Sequence, residues 1–242
     1  MIWVGHSVQG WDSEMLGLAC GSLELLQGGP DGMDLARTLV RAVPDGEVLT
    51  VVKVPGSYPE TAACLATLGG VYLGREITFH YRGPSPQARK GVSTEVTARF
   101  ESDEFLAMAG EMGCSRFFLD REIPRERALA LWRESIHNHC WGRASALAVG
   151  LVDGSPAGLA VALDREAGRE LFVVGVLPGF RRRGVGAAVL RAAVEDAGAR
   201  PVRVEAFADN LLAVRLYERC GFVPESEAVV LHLWRHRMSA AA

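Results

Sequence analysis

The stretch Val176-Leu-Pro-Gly-Phe-Arg-Arg-Arg-Gly-Val-Gly-Ala187 decides how the rest of the chain is interpreted. The apolar run from Leu171 to Leu177 predicts a buried strand, which the following Pro-Gly pair ends because proline lacks an amide donor. Apolar residues at helical spacing come next and predict a helix whose first turn contains Gly184 and Gly186. The pattern is therefore a strand, an arginine-rich glycine turn and a helix.

Such a junction is suited to binding an anion. The amides at a helix N-terminus have no partner within the helix and carry the positive end of the helix dipole. Glycines let a phosphate approach the backbone, and Arg181, Arg182 and Arg183 add positive charge. The same pattern also occurs as a plain strand–helix connection, and neither the dinucleotide fingerprint nor the P-loop is present. The pattern by itself therefore leaves open a phosphate site of another kind and a plain connection.

The spacing Arg181-x-x-Gly184-x-Gly186 resembles the Q/R-x-x-G-x-G/A pyrophosphate loop of the GNAT acetyltransferases. The resemblance implies acetyl-CoA as acetyl donor and co-substrate, with its pyrophosphate on this loop. It also implies that the backbone at the free end of the preceding strand pairs with the pantetheine arm like an added strand. The implied coenzyme-binding residues are Val176, Leu177, Arg181, Arg182, Arg183, Gly184, Val185, Gly186, Ala187 and Asn210.

A second segment, Asn210-Leu-Leu-Ala-Val-Arg-Leu-Tyr-Glu-Arg-Cys-Gly-Phe222, resembles the N-x-x-A-x-x-L-Y-E-x-x-G-F signature near the end of GNAT domains. Asn210, Ala213 and Tyr217 share one face of the predicted helix. A tyrosine, whose ordinary pKa is about 10, stays protonated at neutral pH and can give a proton to a leaving thiolate. The resemblance implies this catalytic role for Tyr217, and implies that Asn210 binds the pantetheine arm or orients the tyrosine. Taken without the upstream loop, Tyr217 is more simply interpreted as a core aromatic.

The order of predicted elements agrees with the same family. From residue 94 to about 235 the pattern gives a strand, two helices, three strands, a helix, a strand, a helix and a strand. We therefore expect an α/β (α+β) GNAT fold at 94–242 with a central mixed, mostly antiparallel sheet. Residues 1–85 predict a small N-terminal α/β domain, and the Pro- and Ser-containing stretch at 86–93 predicts a linker between the two.

Composition narrows the classes of function. Of the 242 residues, 49% are hydrophobic and 23% are charged, which is typical of a soluble globular protein. The net charge of −3 gives no support for nucleic-acid binding, and no apolar run reaches the ~18 residues that span a bilayer. Five scattered cysteines and an N-terminus unlike a signal peptide favour the cytoplasm. Among 26 basic residues, only Lys53 and Lys90 are lysines.

A third segment indicates which class of amine accepts the acetyl group. Gly113-Cys-Ser-Arg-Phe-Phe-Leu-Asp120, followed by Pro124, resembles the S-R-F-x-x-D-x-x-x-P segment of the dTDP-fucosamine (dTDP-4-amino-4,6-dideoxygalactose) N-acetyltransferase group. This resemblance implies direct acetyl transfer, in a ternary complex, to the primary amine of a nucleotide-linked amino sugar, and it suggests a homodimer. The next helix departs from that group's pattern, since Trp132, Ser135 and His139 replace tyrosine, tryptophan and serine. Open alternatives are a protein N-terminus, another small amine, or a non-catalytic acyl-CoA-binding module.

The sequence does not single out the group that takes the proton of the acceptor amine. The candidates are a water molecule and the side chains of Glu170, Glu205, His137 and His139. Arg116 and Asp120 either shape the acceptor side or form a structural ion pair. No metal site is expected, because the two histidines point in different directions on a helix and no further ligand has suitable spacing.

Overall fold

The computed structural model describes residues 3–27, 31–84 and 91–238. The strands are β1 (Trp3–Val8), β2 (Cys20–Gln27), β3 (Leu49–Pro55), β4 (Val71–Tyr81), β5 (Val92–Thr97), β6 (Ala146–Val152), β7 (Ser155–Arg165), β8 (Gly168–Val176), β9 (Val202–Phe207) and β10 (Phe222–Trp234). The α-helices are α1 (Gly10–Leu16), α2 (Met33–Arg41), α3 (Pro59–Thr67), α4 (Arg116–Leu119), α5 (Arg125–Asn138), α6 (Val185–Ala197), α7 (Leu211–Arg219) and α8 (Arg235–Met238). Two 3-10 helices, at Asp103–Glu111 and Pro178–Phe180, and a π-helical turn at His139–Arg143 complete the described elements.

All of these strands belong to one sheet, in the order β1-β2-β3-β10-β4-β9-β8-β7-β6-β5. The pairs β2–β3 and β8–β9 are parallel and the others are antiparallel. The predicted fold class, with a mixed and mostly antiparallel sheet, is confirmed. The last strand, β10, lies between β3 and β4, so the sheet is continuous from the first half of the chain to the second.

The division of the chain into two domains stays a prediction. Both β3 and β4, from residues 1–85, pair with β10, which comes from the region assigned to the GNAT domain. Two residues of the predicted linker, Val92 and Ser93, instead belong to β5 and pair with β6, where their backbone groups complete the sheet ladder. Residues 86–90 of that linker lie outside the described residues.

Helices pack on both faces of the sheet. The 3-10 helix 103–111 and α5 cover one face, called face A here, with Phe105, Met108 and Ile136 in its core. The opposite face, face B, carries α6 and α7 in a cluster that includes Leu190 and Tyr217. None of the described helices combines the length and apolar character needed to cross a bilayer.

Several elements differ from their sequence-based prediction. The Gly-rich sequence of residues 1–30 says little about their secondary structure, yet the described part of this stretch contains β1, α1 and β2. A two-residue period was present there, since Leu23 and Leu25 are buried and Glu24 between them is exposed. The sequence pattern predicts a helix from Asp103 to Met112, and the structure has a 3-10 helix there. It predicts the last strand from about Val229, and β10 begins seven residues earlier, at Phe222.

Candidate active site

The strands β8 and β9 pair only at their beginnings and then separate. Their register covers three residue pairs and ends with Leu171 opposite Val204. Phe172, the next residue of β8, is an extra residue in the ladder with β7 and forms a β-bulge. Beyond it, residues 172–176 and 205–207 flank a V-shaped opening, called the fork here. The fork leaves backbone groups of β8 free to bind an extended ligand.

The two backbone residues predicted to bind pantetheine differ in their availability. Val176 lies at the open end of β8, and its carbonyl accepts a 3.4 Å hydrogen bond from Nε of Arg181. Leu177 donates its N–H to the carbonyl of Ala157 at 2.9 Å, and its carbonyl accepts from the N–H of Phe180. Since the N–H of Leu177 already donates to Ala157, Val176 is the better placed of the two residues to pair with an extended ligand.

The phosphate loop turns sharply between the fork and α6. Arg182 has a φ of +65° and Gly184 a φ of +90°, both in the left-handed region. Helix α6 begins at Val185, and the first intrahelical bond runs from the N–H of Ala188 to the carbonyl of Gly184. No side chain in the described part of the chain caps this end. The amides of Val185, Gly186 and Ala187 are therefore available to an anion, as predicted for a phosphate site.

Glycines, which have no side chain, allow α6 to approach the sheet closely. A Cβ atom on Gly158 of β7 would lie 2.5 Å from Cγ1 of Val185, and one on Gly150 of β6 would lie 2.9 Å from the same atom. A Cβ atom on Gly186 would lie 3.0 Å from Leu216 of α7. These glycines bring the positive end of the helix next to the fork.

The three loop arginines are exposed, and they have different neighbours. Nη2 of Arg181 lies 2.5 Å from Oε2 of Glu111, at the end of the 3-10 helix on face A. The guanidinium of Arg183 lies 5.8 Å from the ring centre of Phe180. Together with the free amides of α6, these side chains make the loop a positively charged rim at the open end of the fork.

Tyr217 lies in the core of face B, with only 5% of its surface exposed. Its ring packs edge-on against Phe79 of β4, with ring centres 5.7 Å apart, and lies 6.0 Å from Phe222. Burial raises the pKa of its phenol above the ordinary value, so the group stays protonated and can act as an acid. Tyr217 therefore has the position of a core aromatic, and its role as the catalytic acid stays a prediction.

Asn210 caps the helix that carries Tyr217. Its Oδ1 accepts a 3.3 Å hydrogen bond from the N–H of Ala213, and its backbone carbonyl accepts from the N–H of Val214. Among the described residues, no hydrogen bond joins Asn210 to the phenol of Tyr217. The side chain of Asn210 thus fixes the start of α7 by accepting a hydrogen bond from a backbone amide, and its contact with pantetheine stays a prediction.

The four side chains predicted as proton acceptors lie in different surroundings. Glu170 precedes the fork and pairs with Arg165, while His137 stacks on Trp141 with ring centres 4.2 Å apart. His139 lies 5.1 Å from the ring of Phe172, and burial, followed by the charges of Arg143 and Arg165, lowers its pKa. Glu205 is the first residue of β9 beyond the paired region. Only His139 and Glu205 therefore lie close to the fork.

Glu205 belongs to a cluster of polar side chains that sequence reasoning missed. Nζ of Lys53, on β3, lies 2.5 Å from Oε2 of Glu76, on β4, and 2.9 Å from Oε2 of Glu205. The hydroxyl of Thr78 donates to Oε1 of Glu205 at 3.3 Å. The four residues, called the Lys53 cluster here, come from three strands far apart in the sequence. The available signal was the rarity of lysine in this chain.

Of the two alternatives for Arg116 and Asp120, the structural ion pair between them is wrong. Arg116 pairs with Asp12 of α1. Asp120 is only 1% exposed and accepts hydrogen bonds from Nδ1 of His232 at 2.7 Å, from Nε1 of Trp234 at 2.8 Å and from the backbone of Glu122. Because Asp120 is enclosed in this network, it ties α4 to β10 and is not available to an acceptor. The described residues contain no grouping of three or more His, Cys, Asp or Glu side chains that could hold a metal ion.

Comparison with known proteins gives the family. Residues 132–222 match the model of the Acetyltransferase (GNAT) family. Over 207 residues the chain is 30% identical to the spore coat polysaccharide biosynthesis protein SpsD of Bacillus subtilis (strain 168), covering 84% of this chain and 68% of that protein.

Solved structures of low sequence identity share the fold. A GCN5-related N-acetyltransferase from Sphaerobacter thermophilus superposes with a TM-score of 0.60 at 16% identity, covering 96% of this chain and 76% of that one. A GCN5-related N-acetyltransferase from Kribbella flavida gives a TM-score of 0.59 at 20% identity, with coverages of 88% and 80%. With its forked sheet, its loop ahead of α6 and these relatives, the chain belongs to the GNAT family of acetyltransferases and is an enzyme of that class.

Proposed function

We propose that the protein transfers the acetyl group of acetyl-CoA to the primary amine of a nucleotide-linked amino sugar, directly within a ternary complex. The observation that carries the proposal is the fork between β8 and β9 with the uncapped N-terminus of α6 at its open end. The relative SpsD is named for polysaccharide biosynthesis, which supports a sugar as acceptor. The segment from Gly113 to Asp120 adds the resemblance to amino-sugar acetyltransferases.

In this proposal the coenzyme lies along β8. Its pantetheine arm takes the place of a strand in the fork and pairs with the backbone of Val176. Its pyrophosphate binds the amides of Val185, Gly186 and Ala187, with Arg182 and Arg183 supplying positive charge. Arg181 can join them once it leaves the carbonyl of Val176, which it occupies here at 3.4 Å.

Acetyl transfer from a thioester depends more on the relative position of the two substrates than on a reactive side chain. The thioester is already activated, so holding the amine against its carbonyl carbon supplies much of the rate. The amine attacks, a C–N bond forms, and backbone amides at the fork stabilise the oxyanion of the tetrahedral intermediate. The C–S bond then breaks, and the phenol of Tyr217 gives its proton to the thiolate of coenzyme A.

Two experiments test the proposal in sequence. Isothermal titration calorimetry with acetyl-CoA is expected to give one site per chain, and the absence of binding would remove the donor. A thiol-release assay then compares dTDP- and UDP-linked amino sugars with peptides and polyamines. Acetylation of the amino sugars supports the proposal, whereas acetylation of peptides or polyamines alone overturns the sugar acceptor.

A further inference from the structure

The Lys53 cluster lies on face A, beside the fork. On β9, the neighbours of Glu205 are Val204 and Ala206, which both pack in the face B cluster that contains Tyr217. Because side chains alternate along a strand, Glu205 points to the opposite face. Glu205 is 42% exposed, whereas Glu76 behind it is only 17% exposed. The cluster therefore has an outer carboxyl group at the fork and an inner one next to it.

We propose that Glu205 binds the amino group of the acceptor and that Glu76 receives its proton through Glu205, with Lys53 setting which of the two carboxyl groups is protonated. This inference rests on the proposed function, because it assigns residues to the acceptor side of the same reaction. It places the amine on face A, across the fork from the phenol of Tyr217 on face B.

The environment of each carboxyl group matches this division of roles. Burial raises the pKa of Glu76, and the charge of Glu205 raises it further against the opposing charge of Lys53. Burial alone would raise the pKa of Glu205, but the charge and hydrogen bond of Lys53, with a further hydrogen bond from Thr78, lower it. Both carboxyl groups contact the same atom, Nζ of Lys53. Because the pKa of Glu76 is raised and that of Glu205 is lowered, a proton that reaches Glu205 is held more tightly by Glu76.

Lys53 is the positively charged side chain that contacts both Glu76 and Glu205. The charges of Glu205 and Glu76 outweigh the effect of burial on Lys53 and raise its pKa, so it stays positive. Across β10, the residues opposite Lys53 and Glu76 are the apolar Val230 and Ala228.

The next charged groups along β4 and β9 have partners outside the cluster. His80 and Arg203 both pair with Glu225, at the beginning of β10. Neither His80 nor Arg203 contacts the two carboxyl groups of the Lys53 cluster. Removal of the charge of Lys53 should therefore change the pKa of both carboxyl groups.

The proton balance of the step is complete without another reagent. The lone pair of the neutral amine forms the C–N bond while the carbonyl π electrons move to oxygen. The nitrogen of the tetrahedral intermediate then gives one proton to the carboxylate of Glu205, and the proton passes to the ionised Glu76. When the C–S bond breaks, Tyr217 protonates the thiolate. Afterwards Glu76 releases its proton to water and the tyrosinate takes one up from water, so one amine and one thioester become one amide and one thiol.

The test combines four variants with one matched control. Glu205→Gln and Glu76→Gln keep the shape of each side chain and remove its basicity, and both are expected to lower kcat roughly 100-fold while the Kd for acetyl-CoA stays unchanged. Glu227→Gln, on β10 and paired with the exposed Arg75, is the control and is expected to keep the wild-type kcat. If Glu76→Gln does not fold, the more exposed Glu205→Gln decides.

The pH profile separates proton transfer from a structural effect. Lys53 lowers the pKa of both carboxyl groups, so Lys53→Met is expected to raise them and to move the acid limb of kcat/KM to higher pH. Lys53→Arg restores the charge and is expected to move the limb back. Rates are measured with the amines of the panel described above.

The outcomes distinguish this inference from the function on which it rests. If the wild type acetylates an amine and both glutamine variants keep its kcat and pH profile, the inference is overturned and the proposed function stands. If the wild type acetylates none of the amines, the proposed function falls and the inference falls with it.

Discussion

Tyr217 and Glu205 lie on opposite faces of the sheet, because each packs against one of two consecutive residues of β4. Thr78 donates a hydrogen bond to Glu205, and Phe79 packs edge-on against Tyr217. Consecutive residues of a strand point to opposite faces, so the phenol and the carboxylate reach the region of the fork from the two sides. A thioester held in the plane of the sheet would have an acid on one side and a base on the other.

Replacement of Tyr217 by phenylalanine is expected to affect chemistry alone. Phenylalanine keeps the packing against Phe79 and Phe222, so stability and the Kd for acetyl-CoA should stay at the wild-type level. Loss of the acidic proton should lower kcat about 100-fold or more in the thiol-release assay. Tyr72→Phe, at an exposed position of β4, is the matched control. Thiol release by Tyr217→Phe at the wild-type rate would remove the tyrosine from the mechanism.

Glu111→Gln is expected to strengthen coenzyme binding. Glu111 holds the guanidinium of Arg181 at 2.5 Å and places a negative charge beside the phosphate loop. Both side chains are nearly half exposed, so breaking the pair should change stability by less than about 1 kcal/mol. Calorimetry should give a Kd for acetyl-CoA that is roughly 2- to 5-fold lower, with the gain shrinking as salt is added.

The control for this variant is Glu101→Gln, which breaks the exposed pair with Arg99. It should leave coenzyme binding unchanged. Weaker binding by Glu111→Gln would mean that Glu111 orients Arg181 for the phosphates, contrary to this prediction.

Gly158→Ala is expected to disturb the phosphate site from a distance. The new Cβ atom would lie 2.5 Å from Val185 and 3.0 Å from the carbonyl of Gly175. Relief of this overlap requires α6 or β8 to move, at a cost of about 1–3 kcal/mol in the free energy of unfolding. Denaturant unfolding should record that loss, and calorimetry should record weaker binding of acetyl-CoA. Gly110→Ala has no atom within 4 Å of its added carbon and is the control. Equal losses in both variants would argue against close packing of α6 as the cause.

Asp120→Asn is expected to weaken the fold through its buried network. Burial, which outweighs the attraction of Asp120, lowers the pKa of His232, so the imidazole is neutral and Nδ1–H donates to the carboxylate. An amide cannot accept all three hydrogen bonds that Asp120 accepts, and the expected loss is about 2–4 kcal/mol in the free energy of unfolding. Asp153→Asn, at an exposed turn, is the control and should lose little.

The loss caused by Asp120→Asn should depend on pH. Hydrogen bonds from His232, Glu122 and Trp234 outweigh burial and lower the pKa of Asp120 in the folded protein. Its stabilising effect is therefore complete above the ordinary aspartate pKa of about 3.9 and disappears as the pH falls through the lowered value. Unfolding measured between neutral and acid pH should show the two proteins converging, and a constant gap would contradict this assignment.

Much of the candidate site could be predicted because its parts are contiguous in the sequence. The sharp turn from Arg181 to Gly186 and the helix start after it could be predicted from the spacing of its own residues, and phosphate binding there stays a prediction. The face shared by Asn210 and Tyr217 follows from the period of a single helix. The strand ahead of the loop was recognisable from its apolar run, although its separation from β9, which begins beside the bulge at Phe172, was not.

The sequence by itself therefore determined the family, the strand–loop–helix from Leu171 to Ala197, and the helix that carries Tyr217. Only the tertiary structure decided that β10 lies between β3 and β4, that Asp120 binds His232 and that Lys53 joins Glu76 to Glu205. Helix and strand periods encode which residues share a face over a few turns. The order of strands depends on how the whole chain buries its apolar faces, and it brought together residues separated by 152 positions.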